Sequence, residues 1–358
     1  MSNLRVLFRV DVNSSLGLGH IMRCLVLADL LRSRGHMCAF LSLDSDIDLT
    51  GILKSRGFNA RDLIGQSRFG SKIFPDKNKE FEDSNYRCIA DGLDYKPHIL
   101  VVDHYWIGQE WESRFKDRGV KILVLDDFGQ SKHDCDFLVH QTNVVSRASY
   151  LNLTPPGTEL MVGFQYMILR ADLHKVRIRL EKLPLKGRNI LVAFGLADPN
   201  NVTGTIGRIL SELEFETALK ITILAGNPSI LRIVEQHLSS QSANQVSISL
   251  MTSDLDIIQI MGDTDYAIVA GGLMSIELAY LGIPCTVIPS NKVQDDVAKE
   301  LAQRVNNNVL GKSWTKNEVA RHLNATLVQQ KAGYQRIFHP EIDGLGAVRI
   351  IERVLGAI

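Results

Sequence analysis

A histidine beside two glycines is the first feature that could do chemistry. The segment SLGLGHIMRCLVLADLL (15–31) places His20 after Gly17 and Gly19, at the start of an apolar stretch with helical spacing. The glycines let a ligand approach the first amides of the helix. Because a helix N-terminus carries partial positive charge, it favours neutral imidazole, the form a general base needs. His20 is a candidate base, and the alternative that it only caps the helix or bonds to the preceding turn stays open.

Other titratable side chains follow apolar runs in the first half of the chain. These are Asp11, Asp103, His104, Tyr105, Asp126 and Asp127. In the second half the corresponding loops, FGLADPNN (194–201) and AGGLMSIE (270–277), supply mainly glycines and one carboxylate. This division predicts a reacting centre in the first half and a binding site for a phosphorylated donor in the second.

The diphosphate prediction depends on AGGLMSIE. Gly271 and Gly272 precede a helix expected near Ser275, whose first amides would be open to an anion. Glu277 is placed to accept hydrogen bonds from two ribose hydroxyls, or is a first-turn glutamate favoured by the helix dipole. Gly195 lies either in a ligand loop or in a simple turn, which the Asp-Pro pair of FGLADP signals.

Other chemistries lack their motifs. Ligand atoms occur at 103–104, 126–127 and 133–136, but in no zinc or magnesium spacing, so we expect neither a metal nor another cofactor. The dinucleotide pattern GxGxxG would need glycine at Met22. The GxSxG elbow of serine hydrolases is absent from the sequence.

Composition narrows the class of protein. Forty basic residues balance forty acidic ones over 358 residues, which argues against a nucleic-acid partner. The five cysteines are scattered without a CxxC pair, as in a reducing compartment. Charge or glycine interrupts every long apolar stretch, so we expect no membrane span and a cytoplasmic protein.

The elements that position these loops alternate between aliphatic strands and amphipathic helices, which predicts an α/β protein with parallel sheets. We predict two doubly wound Rossmann-like domains facing a cleft at the carboxyl ends of their strands, which is the GT-B fold. The expected boundaries are an N-terminal domain at 1–150, a linker at 151–188, a nucleotide-binding domain at 189–335 and a C-terminal helix at 336–358 packing back on the N-terminal domain. The polar stretch 66–87 is predicted as a loop or irregular helix.

Several stretches together resemble the sugar-nucleotide hydrolases of pseudaminic acid biosynthesis, the PseG type, which are relatives of the MurG glycosyltransferases. The matching stretches are RVDVNSSLGLGHIMRCLVLADLL, VVDHYWIGQEWE, VLDDFGQSKHDCDFLVHQTN, LMVGFQYMILR, FGLADPNNVT, GGLMSIELAYLGIP and IDGLGAVRI. They follow the family order over nearly the whole chain. The resemblance implies a GT-B fold that cleaves a UDP-linked 2,4-diacetamido-2,4,6-trideoxy-altrose to UDP and free sugar, without a metal.

The resemblance also implies roles for individual residues. His20 would activate the attacking water, Tyr105 would line the sugar site, and Asp11 would hold or orient the glycine loop. The remaining predicted substrate contacts in this half are Gly17, Gly19, Arg23, Asp103 and His104. A small-molecule nucleotide sugar is the expected partner, and the oligomeric state is left open.

The second half departs from the family pattern. Where the family reads FGGSDP this chain has FGLADP, and where it reads GGST the chain has Leu273 and Met274, with Ser275 as a possible substitute. The replaced positions are Leu196, Ala197, Leu273, Met274 and Val293. Gln294 of a family Asn-Gln pair is kept, and Asn291 could compensate for Val293. We therefore keep two alternatives, a GT-B glycosyltransferase and a non-catalytic sugar-nucleotide-binding paralogue.

Overall fold

A computed structural model describes most of the chain. The described residues are 3–12, 18–42, 47–58, 63–64, 96–195, 198, 200–213, 219–225, 228–229, 231–232, 235, 245–250, 256–311, 313–331 and 335–358. The chain divides into two compact units. Unit 1 comprises Met1–Arg170 and Gly344–Ile358, and unit 2 comprises Ala171–Asp343.

Unit 1 is built on a parallel sheet, with seven strands in the described residues. They are β1 (Arg5–Val10), β2 (Met37–Leu41), β3 (Leu63–Ile64), β4 (Ile99–Asp103), β5 (Lys121–Leu125), β6 (Phe137–His140) and β7 (Glu159–Val162), in the order β3-β2-β1-β4-β5-β6-β7. Its helices are α1 (Gly19–Ser33), α2 (Leu49–Ser55), α3 (Gln109–Lys116) and the C-terminal α10 (Gly346–Gly356).

Alternation along β1 explains why helices cover both faces of this sheet. Val6 and Phe8 pack into a core with residues of α1 and α10, whereas Leu7 packs into a second core that contains Trp111 and Phe115 of α3. Successive strand side chains point to opposite faces, so a strand buried on both faces is apolar throughout. Burial on both faces is therefore the reason that the strands appear in the sequence as continuous aliphatic runs.

Unit 2 repeats the architecture with six described strands. They are β8 (Asn189–Ala193), β9 (Lys220–Ala225), β10 (Gln245–Leu250), β11 (Tyr266–Val269), β12 (Cys285–Val287) and β13 (Asn307–Val309), in the order β10-β9-β8-β11-β12-β13. The helices are α4 (Leu173–Leu180), α5 (Val202–Glu212), α6 (Ile257–Gly262), α7 (Leu273–Tyr280), α8 (Lys292–Ala302) and α9 (Lys316–Lys331). The predicted class, two parallel-sheet α/β domains, is confirmed.

The stretch 151–188, which we expected to be a linker, contains ordered elements. Its first part supplies β7, which pairs with β6, and its last part belongs to unit 2 and supplies α4. The strand has only four residues between a proline-glycine turn and Gly163, too few to show a period. Strand β13 is similarly short, with three residues. The stretch 66–87 lies outside the described residues.

Both sheets reverse their strand order at one point. In unit 1 this point lies between β1 and β4, and in unit 2 it lies between β8 and β11. Ligands of open α/β sheets bind outside the carboxyl ends of the strands at such a switch point. The residues that follow these four strands are therefore the first place to look for a site.

Two further features of the described residues concern membrane spans and thiols. None of their helices has the length and apolar character that crossing a membrane requires. Four of the five cysteines, Cys24, Cys38, Cys135 and Cys285, are described, and all four are buried free thiols.

Candidate functional site

Strand order brings together two carboxylates that are far apart in the sequence. Asp11 follows β1 directly, and Asp103 is the last residue of β4, paired in register with Val10. Helix α1 begins at Gly19 beside these strand ends and carries His20 as its second residue. Gly17 lies outside the described residues. The switch point of unit 1 thus collects the histidine and both carboxylates predicted from the sequence.

The contact between His20 and Asp103 sets the orientation of the imidazole. Nδ1 of His20 lies 2.6 Å from Oδ1 of Asp103, and both side chains are buried. Burial would raise the pKa of Asp103, but the charge of Arg23 and the hydrogen bonds of Arg23 and His20 lower it well below its usual range. Because the carboxylate is ionised, Nδ1 must donate to it. The proton of the neutral ring is therefore on Nδ1, and Nε2 has a lone pair that can accept a proton.

Arg23 holds Asp103 in place from the next turn of α1. Its Nε and Nη2 donate to Asp103 at 2.6 and 2.5 Å, and its Nη1 and Nη2 donate to Asp127 at 2.8 and 2.9 Å. Burial would lower the pKa of Arg23, but the two carboxylates raise it well above its usual range. Nη2 also lies 3.2 Å from Nδ1 of His20. This contact is not a hydrogen bond, because Nδ1 carries the ring proton and cannot accept another. Arg23, predicted as a substrate contact, here binds two carboxylates.

A second buried ion pair lies at the end of β1. Arg9 donates to both oxygens of Asp11, at 2.6 and 2.8 Å, and Nε2 of His104 lies 2.8 Å from Oδ2 of Asp11. Burial would raise the pKa of Asp11, but the charge of Arg9 and the hydrogen bonds of Arg9 and His104 hold it well below its usual range. Asp11 is therefore a charged group of the interior at neutral pH.

His104 is held as a neutral ring in this cluster. The amide of Trp106 donates to its Nδ1 at 3.2 Å, so Nε2 carries the proton and donates to Asp11. Burial, and then the charge of Arg9, lower the pKa of His104. From the sequence, His104 was predicted as a substrate contact and Asp11 as a catalytic residue. The structure places them together in a buried cluster, while the loop that Asp11 was expected to orient, 13–17, lies outside the described residues.

Tyr105 lies against the histidine. Its ring centroid is 4.6 Å from that of His20 in an edge-to-face arrangement, and 4.7 Å from that of Phe128. Burial and the charge of Asp127 raise the pKa of the Tyr105 hydroxyl, so it is protonated at neutral pH. The structure thus brings the predicted Tyr105 to His20, and adds Phe128, which we did not select from the sequence.

The loop after β5 supplies Asp126 and Asp127, which the sequence analysis grouped with the reacting centre but gave no individual role. Asp126 accepts from the amides of Phe128 and Gly129, at 3.0 and 2.9 Å, and from the hydroxyl of Tyr150 at 2.9 Å. This anchored turn positions Asp127 for its contact with Arg23. The only sequence signal was the pair of aspartates after a strand, which more often bind loop amides than ligands.

The loop after β8 in unit 2 presents backbone rather than charge. Gly195 has a φ of 79°, a left-handed conformation that favours glycine. Asp198 accepts from the amides of Val202 and Thr203, at 2.8 and 2.9 Å, and so caps α5. Leu196 and Ala197 lie outside the described residues.

The loop after β11 packs tightly against α8. A Cβ at Gly271 would lie 2.7 Å from the carbonyl oxygen of Gln294, which explains the glycine, whereas a Cβ at Gly272 would meet only Nε2 of Gln294, at 3.9 Å. Ser275 is buried and its hydroxyl donates to the carbonyl of Gly272 at 2.7 Å. Glu277 is buried as well. The amide of Ser275 also donates to the carbonyl of Gly272, at 3.0 Å, so the amides of Leu273 and Met274 are the first-turn donors that this loop can present.

Asn291 and Gln294 are joined at the start of α8. Oδ1 of Asn291 accepts from the amide of Gln294 at 2.9 Å, and Oε1 of Gln294 accepts from the amide and hydroxyl of Ser290, both at 3.0 Å. These bonds form a helix cap. Since Oε1 is bound, the Gln294 side chain turns its donor, Nε2, towards Gly272.

A metal site is not formed by the described residues. They contain no group of three or more His, Cys, Asp or Glu side chains arranged to hold an ion. Of the loop residues that carry ligand atoms, Asp103 and Asp127 bind Arg23, and His133 lies 2.8 Å from Oε1 of Glu112.

Comparison with known proteins found distant relatives. No family model matches the chain. Over 302 residues it is 25% identical to UDP-2,4-diacetamido-2,4,6-trideoxy-beta-L-altropyranose hydrolase from Campylobacter jejuni, with 84% of this chain and 97% of that protein covered. Over 318 residues it is 22% identical to an uncharacterized protein from Methanocaldococcus jannaschii, covering 84% of this chain but only 59% of that protein's length.

Solved structures establish the fold. The UDP-GlcNAc 2-epimerase from Neisseria meningitidis bound to UDP-GlcNAc matches with a TM-score of 0.63 at 14% identity, over 99% of this chain and 100% of that one. MurG from Acinetobacter baumannii matches with a TM-score of 0.62 at 15% identity, over 99% of both chains. The protein therefore has the GT-B fold that the sequence predicted.

Proposed function

We propose that this protein is an enzyme that hydrolyses a nucleotide-activated amino sugar. The proposed substrate resembles UDP-2,4-diacetamido-2,4,6-trideoxy-altrose, and the products are UDP and the free sugar, formed with inversion at C1. One observation carries the proposal: Nδ1 of His20 donates to the ionised Asp103 at 2.6 Å, which leaves Nε2 as a base at the switch point of unit 1. The hydrolase from Campylobacter jejuni supports the substrate class.

The proposed reaction needs one base. The oxygen of a water molecule attacks C1 of the sugar while Nε2 of His20 takes a proton from that water. The bond between C1 and the diphosphate oxygen breaks, and its electron pair leaves with UDP. Asp103 stabilises the imidazolium that forms. Because UDP is a stable anion, it can leave without a second carboxylic acid, and attack opposite to it inverts C1.

The proposed contribution of unit 2 is nucleotide binding. The amides of Leu273 and Met274, the first two residues of α7, suit a diphosphate because they combine backbone donors with the positive end of a helix dipole. Nε2 of Gln294 faces the same loop. Gly195, Asn291 and Glu277 stay as predicted contacts of the nucleotide, with Glu277 assigned to the ribose.

A panel of UDP- and CMP-sugars tests the proposal. We expect release of UDP from the diacetamido-trideoxy sugar in buffer alone, with the anomer opposite to that of the substrate seen first by proton NMR. UDP release that requires an added sugar or lipid acceptor would instead show a glycosyltransferase. If calorimetry finds no saturable binding of UDP or any UDP-sugar, the protein is a non-catalytic paralogue and the proposal is wrong.

A further inference from the structure

Tyr105, the ring that contacts the proposed base, is itself contacted by two further aromatic rings. The ring centroid of Tyr105 is 4.6 Å from His20, 4.7 Å from Phe128 and 6.4 Å from Trp106, and all three contacts are edge-on or steeply inclined. Neither Phe128 nor Trp106 has a part in the proton transfer proposed above. Their side chains extend the surface next to His20 with apolar atoms.

The outermost ring is exposed although its backbone is fixed. Phe128 is 36% exposed, yet its amide and that of Gly129 both donate to Asp126. Asp126 is itself bound by the hydroxyl of Tyr150, a fully buried side chain of unit 1. Phe128 contacts Tyr105, which in turn contacts the proposed base, His20. An aromatic side chain held at the surface there by an anchored turn is placed to contact a ligand rather than to fill the core.

Charged groups near the rings are already bound within the protein. Both oxygens of Asp127 accept from Arg23, and both oxygens of Asp103 do the same. A sugar surface rich in hydroxyls would need several free donors and acceptors, because a buried hydroxyl without a partner is costly. The three rings offer only the Tyr105 hydroxyl and the Trp106 indole N–H. Methyl groups need only apolar contact, which the faces and edges of aromatic rings provide.

We infer that Tyr105, Trp106 and Phe128 form an apolar subsite for methyl substituents of the sugar, those of its acetamido groups or of a 6-deoxy carbon. This inference rests on the proposed function, because it assumes that the sugar lies beside His20. The subsite selects acylated deoxy sugars against fully hydroxylated ones. Phe128 and Trp106 are then specificity residues.

Steady-state kinetics of single variants provide the first test. With the UDP-linked diacetamido-trideoxy sugar, Phe128→Ala and Trp106→Ala should each raise KM about tenfold and change kcat less than about twofold, because they remove uniform apolar binding. The preference for this substrate over UDP-glucose, whose sugar carries no methyl group, should fall by the same factor. Phe128→Leu, which keeps most of the apolar volume, should retain most of the preference.

A matched control separates this effect from a general loss of apolar surface. Met37 is also exposed but lies at the amino end of β2, the opposite edge of the sheet from the site. Met37→Ala should leave KM, kcat and the preference unchanged. The midpoint temperature of thermal unfolding should stay close to the parent value for Phe128→Ala, Phe128→Leu, Trp106→Ala and Met37→Ala. Each replaced side chain is at least partly exposed.

Binding of the free sugar distinguishes failure of the subsite from failure of the proposed function. In saturation-transfer NMR with free 2,4-diacetamido-2,4,6-trideoxy-altrose, the methyl protons should receive the most saturation, and Phe128→Ala should reduce it. If the parent protein releases no UDP but shows this pattern, hydrolysis is wrong and the subsite stands. If the protein releases UDP while Phe128→Ala and Trp106→Ala keep the parent's KM and preference, the subsite is refuted and hydrolysis stands.

Discussion

The two switch points of this molecule use their polar groups differently. In unit 1, charged side chains are paired around an imidazole: Asp103 binds both His20 and Arg23. In unit 2, Ser275 bonds to the backbone of its own loop, and Gln294 bonds to Ser290. The first arrangement orients an imidazole by a carboxylate, whereas the second shapes a loop that ends at the amides of Leu273 and Met274. One fold repeated twice thus holds two different polar arrangements.

This difference changes how the departures of unit 2 from the family pattern should be interpreted. Leu273 and Met274 replace hydroxyl-bearing residues at the start of α7. Any residue except proline donates a backbone amide, so the helix N-terminus keeps its donors at both positions. We therefore expect weaker side-chain contacts with a diphosphate but not the loss of the anion site.

The largest effect should follow from removing the base of unit 1. We expect His20→Ala to lower kcat for UDP release about 10³-fold, within the range that general bases contribute. UDP binding, measured by calorimetry, should change less than about twofold, because we assign it to unit 2 and Asp103 keeps its bonds to Arg23. Turnover at the parent rate would show that His20 is not the base.

The two aspartates that Arg23 binds, Asp103 and Asp127, offer a matched pair of variants. Asp103→Asn can present an amide NH₂ to Nδ1 of His20, which moves the ring proton to Nε2, so we expect kcat to fall about 10²-fold. Asp127→Asn also removes a negative charge that faces Arg23, but it leaves the hydrogen bond between His20 and Asp103 intact. Its kcat should therefore fall less than about tenfold. Urea unfolding should show that each variant is destabilised by up to about 3 kcal/mol. Equal losses of kcat would contradict the special role of Asp103.

In unit 2, neighbouring glycines test whether backbone shape controls nucleotide binding. Gly271→Ala would place Cβ 2.7 Å from the carbonyl oxygen of Gln294, so the loop must move. We expect a loss of about 1–3 kcal/mol in the free energy of unfolding, and weaker UDP binding in calorimetry. In Gly272→Ala the new Cβ would lie 3.9 Å from Nε2 of Gln294, so the free energy of unfolding should fall by less than about 0.5 kcal/mol. If both variants bind UDP as the parent does, this loop does not hold the diphosphate.

The smallest effect concerns how the stability of unit 1 depends on pH. The pKa of His104 is lowered in the folded protein. Below about pH 6.5, His104 therefore binds a proton in the unfolded chain but stays neutral in the folded one. Folded stability should thus fall as the pH drops from 7 to 5, with His104 contributing at most about 1.4 kcal/mol per pH unit. His104→Gln should flatten this slope in urea unfolding series, while His140, whose pKa is also lowered, contributes equally to both proteins. An unchanged slope would show that His104 titrates normally.

Local patterns were sufficient to place most elements and part of the site. The apolar run of β1 and the helical spacing of α1 put His20 at a helix N-terminus, and the run of β4 put Asp103 at the end of a strand. Short strands were the exception, because the four residues of β7 and the three of β13 show no period. The aromatic residue Phe128 also gave no signal, since a lone phenylalanine in a loop is uninformative.

The sequence by itself determined the α/β class, the two parallel sheets and which residue types stand at the strand ends, because hydrophobic periodicity and glycine loops are properties of neighbouring residues. Only the tertiary structure decided the partners: Arg23 meets Asp103 and Asp127 across 80 and 104 positions, and His104 meets Asp11 across 93. Those pairs form because β4 lies beside β1 and β5 lies beside β4. Strand order is set by how the whole chain buries its apolar surface, which no single stretch encodes.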